Sequence, residues 1–512
     1  MTDATLASRR RPSHVASRVA AAPIISIPVL LCLGGAVLGF GWLAFLLLRR
    51  ADGLATLAFD QAFFQQVVWN VSEGHGFVSS FNGGSFLGLH FSPLLAIPAL
   101  VETVWADARV LSIFHAFGLA AAGPAAFLFF RTAFRPSPSA SWLAAAIAAP
   151  LPIWSAVQEA GRADFHTESL ALPFALLAGW AGLRGRVLLL LAFAFVVVLA
   201  KEDQGFTVFV VGALVAARGP GRLRDGLRPV AGARATGLAL MAVGILWSLV
   251  VFTVVMPLLR DGARLETGWY YKWITEDGGP LANAERIGAL LTNGRAWMAP
   301  VGLLLSAAAL GLLRPAWLLF ALAPIVANLL SANLAQADFK LHYTLLSVMP
   351  MLVATAMGGR RLLAWIARLR RRRSDVGGGR RNPLGGSLLL LALPALLVAW
   401  IGGGLPPTMR TERGQWDRPP AHDELLRFAE QIPGAVVLAV DDGLAPPLAS
   451  RTELRLIPNG PSHAWVLVDR LARDPGYFSW SRREAFVEEL PTSGRALLAE
   501  DGRFELWGPV DE

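Results

Sequence analysis

The sequence predicts an all-α polytopic membrane bundle of about eleven transmembrane helices, followed by a small extracytoplasmic α/β domain at the C-terminus. Three observations lead there. Of 512 residues 54% are hydrophobic and only 16% charged, with a mean hydropathy of +0.49, whereas soluble chains carry about a quarter charged residues. Apolar runs near the length needed to cross about 30 Å of hydrocarbon recur along the chain. After residue 404 the balance of charge reverses: residues 405–512 hold 18 acidic and 12 basic side chains, against 19 acidic and 34 basic before them.

Residues 1–22 carry Arg9, Arg10, Arg11 and Arg18 ahead of a long apolar run. That run exceeds a signal-peptide core and lacks a small-residue cleavage site, so it reads as an uncleaved first span behind a basic cytoplasmic N-terminus. Spans are expected at 23–48, 110–130, 140–157, 169–183, 187–200, 204–217, 236–258, 297–313, 317–332, 344–357 and 387–401. Residues 23–404 thus form a transmembrane domain with two long outer loops, 49–109 and 259–296. Segment 91–105 is apolar but holds Pro93 and Pro98, and reads as a surface or re-entrant piece. The sole cysteine, Cys32, lies in the first span, so no intrachain disulfide is available.

Arginines mark alternate loops. Arg131 and Arg135, Arg184 and Arg186, the run from Arg218 to Arg234, Arg314, and the block from Arg360 to Arg381 all fall on the side of the N-terminus. This positive-inside bias fits a multi-pass protein of a bacterial inner (plasma) membrane, with the first loop and the C-terminal domain outside. The block at 360–381 contains three glycines and reads as a flexible cytoplasmic linker near anionic lipid. Because the basic excess belongs to membrane loops, nucleic acid is excluded as a partner and membrane lipids are expected. P-loop, Rossmann and zinc-hydrolase signatures are all missing, which argues against ATP-driven chemistry within the chain.

The same topology gathers the polar residues of the spans on the outer side. In the first loop, 58–91, Asp60 follows Phe59 and opens an amphipathic run with Phe63, Val67 and Asn70 on one stripe; it closes on glycine-rich turns and His90. That loop reads as a lid or site lying on the membrane surface and offering Asp60. Asp164, His166 and Glu168 alternate, so in an extended segment they project together, as a divalent-metal trio, a proton relay or a hydrogen-bonded helix start. Lys201, Glu202 and Asp203 form a short charged turn between two apolar runs, an expensive placement that points to function. The chain has only three lysines, Lys201, Lys272 and Lys340, all on the outer side, the last beside Asp338 and His342. Trp269, Tyr270, Tyr271 and Trp273 suit an interfacial aromatic belt or a surface for stacking a sugar ring.

The region 405–512 reads as a compact domain with a helix at 423–431 and strands at 435–440, 454–457, 464–468, 496–499 and 504–507. Asp441-Asp442-Gly443 after the first strand fits a turn, with a cation site as the alternative.

Acids and bases at the outer face suit a lipid-linked donor, which places a phosphate there and a sugar beyond it. A cation can hold the phosphate, and a carboxylate can take the proton of an attacking hydroxyl. The stretches FDQAFFQQVVWNVSEGHGFVSSFNGG with LGLHFSPLL, DFHTESLALPFALLA and LAKEDQGFTVFVVGAL resemble, in that order, the bacterial and archaeal membrane-protein family labelled domain of unknown function 2079, up to about His342. That family is similar to the C-type polytopic glycosyltransferases, which use polyprenyl-phosphate sugars. The resemblance implies a transferase of hexosyl or pentosyl type with a polyprenyl-phosphate sugar donor, an unknown acceptor (lipid, glycan or protein) and an acid of the first outer loop, by position Asp60, as base or metal ligand. Asp164, His166 and Glu168 would complete the catalytic wall, and His90, Lys201, Glu202, Asp203, Lys340 and His342 would bind substrate. Asp60, Asp164, His166 and Glu168 are then the candidate ligands of a divalent metal, Mg or Mn. The superfamily often pairs acids in this loop, whereas Asp60 stands between Phe59 and Gln61. Two other classes fit the composition: a transporter or lipid flippase with a buried charge relay, and a membrane scaffold displaying the C-terminal domain.

Overall fold

The structure, a computed structural model, describes residues 26–218, 231–260, 270–276, 279–307, 309–374, 388–402, 405, 416–473 and 480–510. The basic N-terminus, Arg222 to Arg228, Trp269 and the glycine-rich part of the arginine block lie outside them.

Every expected span contains a helix within its described residues. Among the described residues, five helices are long and apolar enough to cross a membrane: Ile27–Asp52, Arg109–Ala133, Ala140–Arg162, Ala233–Leu259 and Leu341–Leu369. The others are shorter, at Thr167–Arg184, Val187–Val198, Gly205–Ala216, Met298–Ser306, Leu319–Leu329 and Ala392–Gly402. By length and composition alone, five of the expected eleven spans are long enough to cross unaided, and the shorter apolar helices occupy other expected spans. Pro150 and Pro152 interrupt the third span with a 3-10 turn at Leu151–Ile153, because proline removes a backbone donor and clashes with the preceding turn. The helix expected to end at 357 continues as Leu345–Ser374. The first half of the arginine block is thus helix and not linker, in keeping with the good helix propensity of arginine. Helices Gly205–Ala216 and Ala233–Val250 meet at Gly205 and Gly244, where a Cβ on either would lie 2.2 or 2.4 Å from the other's carbonyl oxygen. Such small-residue contacts let membrane helices close on one another.

The first loop departs most from expectation. A π-helical turn, Ala58–Ala62, leads into a helix, Phe63–Ser72. Instead of floating on the membrane surface, this helix is buried on nearly every side, including Phe63, Phe64, Gln65, Gln66, Val67 and Val68. Its aromatic side packs with Phe86, Leu95, Leu111 and Phe165 at the end of the bundle. Gln65 donates to Glu102 at 2.8 Å, and Gln66 donates to the carbonyl of Arg451 at 2.9 Å. The C-terminal domain supplies one partner of the buried Gln66 amide, whereas the Gln65 amide N–H is met within the first loop.

That domain is built as read. Helix His422–Ala429 precedes a five-stranded mixed sheet. Strands Leu438–Val440, Leu454–Leu456 and Trp465–Asp469 are parallel, with Leu438–Val440 in the middle of the three; Phe504–Pro509 adds antiparallel beside Trp465–Asp469, and Arg495–Glu500 beside that. Helix Trp480–Glu489 was not anticipated; it buries none of its residues and so carries no apolar stripe to announce it. The domain and the first loop share one core, in which Leu54, Ala58 and Ala62 pack with Leu425, Leu438, Val440 and Phe504. Backbone contacts extend the junction: Ala421 N donates to Asp52 O at 2.7 Å, and Arg49 Nε to Trp416 O at 2.9 Å.

Candidate active site

The predicted residues converge where the helices end beneath the C-terminal domain. Asp60 sits on the π-helical turn. Asp164 and His166 occupy the extended stretch between helices Ala140–Arg162 and Thr167–Arg184, and Glu168 falls in the first turn of the latter.

Asp164 is shut in. Its carboxylate lies 2.9 Å from Arg50 Nη2, with side-chain exposures of 3% for Arg50 and 1% for Asp164, and it accepts from Leu57 N at 2.8 Å. Arg50 also donates to the carbonyls of Ala55 and Arg162. Burial pushes the Asp164 carboxyl up to about 6 despite the nearby guanidinium.

Asp60 differs. A quarter of its side-chain surface is open, and its Oδ1 is 3.5 Å from His166 Nε2. Burial raises its carboxyl from 3.8 to about 6, opposed by Arg50, His90 and Lys201. Burial also lowers His166 to about 4, so the imidazole is neutral near pH 7. His166 Nδ1 is 3.0 Å from the Asp164 carbonyl, a contact that assigns the proton to Nδ1 and leaves Nε2 as an acceptor facing Asp60. The Asp60–His166 pair is therefore complementary when it holds one proton. The imidazole is fixed from three sides: it stacks on His342 with centroids 3.4 Å apart, meets Phe64 edge to face, and its backbone N–H donates to His115 Nδ1 at 3.3 Å. His115 Nε2 in turn donates to Ala160 O at 2.8 Å.

Beside this pair lies a second charged set. Lys201 Nζ is 2.6 Å from Glu168, and His90 Nδ1 is 2.9 Å from Glu202, which also accepts from Phe91 N at 2.9 Å. Asp203 accepts from Gln204 at 3.2 Å, and burial raises it to about 6. A cavity of about 10 Å³, room for about one water, lies against Glu168, Gln204 and Thr207.

Two expectations need correction. Lys340 stays apart from this set: it pairs with Asp338 at 2.9 Å with about half of both side chains exposed, whereas its neighbour His342 is buried against His166. Asp164, His166 and Glu168 do not project together as a trio, because the helix begins between them and each turns to its own partner. Among the described residues no three His, Cys, Asp or Glu side chains are grouped as a metal site. Asp60, Asp164, His166 and Glu168 are thus not gathered as one group: Asp164 faces Arg50, Glu168 faces Lys201, and Asp60 faces His166. The aromatic segment serves anchorage: Trp273 Nε1 donates to Leu330 O at 3.0 Å, and Tyr271 Oη to Ala327 O at 3.2 Å.

Sequence reasoning missed Arg50, His115 and Gln61, and read Asp442 only as part of a turn or cation site. Gln61 is buried, donates to Ala108 O at 2.7 Å and accepts from Phe165 N at 3.1 Å. Asp442 reaches across from the C-terminal domain to accept from Ala58 N at 3.0 Å. Its neighbour Asp441, read as a turn residue or cation ligand, is instead gripped by Arg483 through two contacts of 2.9 and 2.8 Å.

Residues 50–376 match the family described as "Predicted membrane protein (DUF2079)". No curated protein matches the chain. Among solved structures, ArnT from Cupriavidus metallidurans bound to undecaprenyl phosphate is 15% identical, with a TM-score of 0.46 over 94% of this chain and 98% of that one. ArnT from Cupriavidus metallidurans in the apo state is 12% identical, with a TM-score of 0.49 over the same shares. At these scores a likeness carries neither fold nor function from one chain to the other.

Proposed function

The chain belongs to the DUF2079 family of predicted membrane proteins, and on the geometry of its site we propose that it is a membrane glycosyltransferase. It moves a sugar from a polyprenyl-phosphate donor to an extracytoplasmic acceptor (a lipid, glycan or protein) at the outer face of a bacterial inner membrane. One observation carries this reading: Asp60 keeps an open side, at 25% exposure, while its neighbours Asp164 and Glu168 are closed, at 1% and 7%. A carboxylate with an open side, raised to about 6 and backed by a neutral imidazole, is suited to general-base work near neutral pH.

In the proposed reaction Asp60 takes the proton of the acceptor hydroxyl. The hydroxyl oxygen forms a bond to the anomeric carbon, the bond from that carbon to the phosphate oxygen breaks, and its electron pair leaves with the polyprenyl phosphate. Lys201 stabilises the leaving charge, while His166 holds Asp60 in place and shares its proton. The placement of the charges supports an enzyme over a transporter. The buried acids and histidines named above sit at helix ends on one side of the bundle instead of forming a file through it, as a charge relay needs.

The test is turnover of a panel of polyprenyl-phosphate sugars by the purified protein in nanodiscs, beside Asp60→Asn. Transfer that disappears in the variant supports the assignment. Retained transfer removes Asp60 from the chemistry, and ion or lipid flux in liposomes without any turnover would replace the enzyme reading.

A further inference from the structure

The turn that carries Asp60 begins with backbone N–H groups that its own helix cannot satisfy. Two of them, in succession, are taken by carboxylates from different parts of the chain. Leu57 N donates to Asp164 at 2.8 Å, from the bundle, and Ala58 N donates to Asp442 at 3.0 Å, from the C-terminal domain. Asp442 is placed for this by a close approach: a Cβ on Gly443 would lie 2.4 Å from Leu54 O. Its second oxygen, Oδ2, is buried without a hydrogen-bond partner among the described residues. Burial pushes the carboxyl up to about 7, with Asp164 and Asp60 adding to the shift.

We propose that Asp442 is a positioning residue for Asp60, which makes the C-terminal domain an integral part of the active site. By capping Ala58 it fixes where the π-helical turn starts, and the turn fixes where the Asp60 carboxylate stands relative to His166. The proposal rests on the transferase reading for its catalytic consequence but not for its structural one.

The experiment compares wild type, Asp442→Ala and Asp442→Asn by amide hydrogen exchange of residues 54–66 and by steady-state transfer. Asn keeps an acceptor oxygen in the shape of the protonated acid, and Ala does not. In Asp442→Ala, exchange in this segment should rise about tenfold, the size of a lost cap, while the rest of the C-terminal domain keeps its protection. kcat should fall about tenfold with KM within about twofold, and Asp442→Asn should restore most of both. Unchanged exchange in Asp442→Ala overturns the proposal, as does an equal loss in Asp442→Asn, which would assign Asp442 a charge of its own in the chemistry. If no donor is turned over by any of the three proteins, the transferase reading fails while the exchange data still decide the role of the cap.

Discussion

Two contacts lie side by side at the end of the bundle, Arg50–Asp164 and Asp60–His166, and they are finished to different degrees. The first is an ion pair at 2.9 Å with both side chains almost fully enclosed and the guanidinium also bound to two carbonyls. The second stands at 3.5 Å with one side open. A buried charge held through every nitrogen of its partner is suited to holding structure. A charge left with an open face and a neutral neighbour can accept a proton. The rivet and the proposed base share one wall, so the geometry of the second depends on the completeness of the first.

The largest effect should come from Asp60→Asn, with transfer lowered by a factor of about 10² to 10⁴ and the unfolding temperature preserved. Arg50→Ala inverts that pattern: it leaves Asp164 buried without its partner and should cost about 3–5 kcal/mol of stability, measured by thermal unfolding. Lys201→Met, which strands the buried Glu168, should weaken donor use about 10- to 100-fold. Lys340→Met, at an exposed pair, should change it by less than about threefold. Equal effects of the two lysine variants would erase the distinction between enclosed and exposed charge.

A further contrast concerns pH. Folding raises Asp60 and Asp164 from 3.8 to about 6, so the folded protein holds these protons more tightly than the unfolded chain. Their ionisation therefore costs stability. The penalty is absent below 3.8, grows toward about 6 and is constant above that. Transfer should show the opposite limb, rising through about pH 6 as Asp60 becomes a base, and stability curves of Asp60→Asn against pH should lack its share of the decline.

Much of this was legible locally. The short continuous apolar runs Leu438 to Val440 and Trp465 to Val468 announced strands, and charge in apolar surroundings singled out Lys201 and Glu202. Asp60 was found by its place after the first span. What escaped the sequence was pairing over distance. Nothing near Arg50 names Asp164, and nothing near Gln66 names its partner Arg451. Lys340 was misplaced for the converse reason: it adjoins a buried residue in sequence but points to Asp338.

The bond between Ala58 and Asp442 spans 384 positions, which has a consequence for biosynthesis. The Asp60 turn leaves the ribosome early, and its cap follows roughly 20–80 s later at ordinary elongation rates. Throughout that interval the Asp60 turn is without its Asp442 cap, and a product truncated before the C-terminal domain would never acquire it.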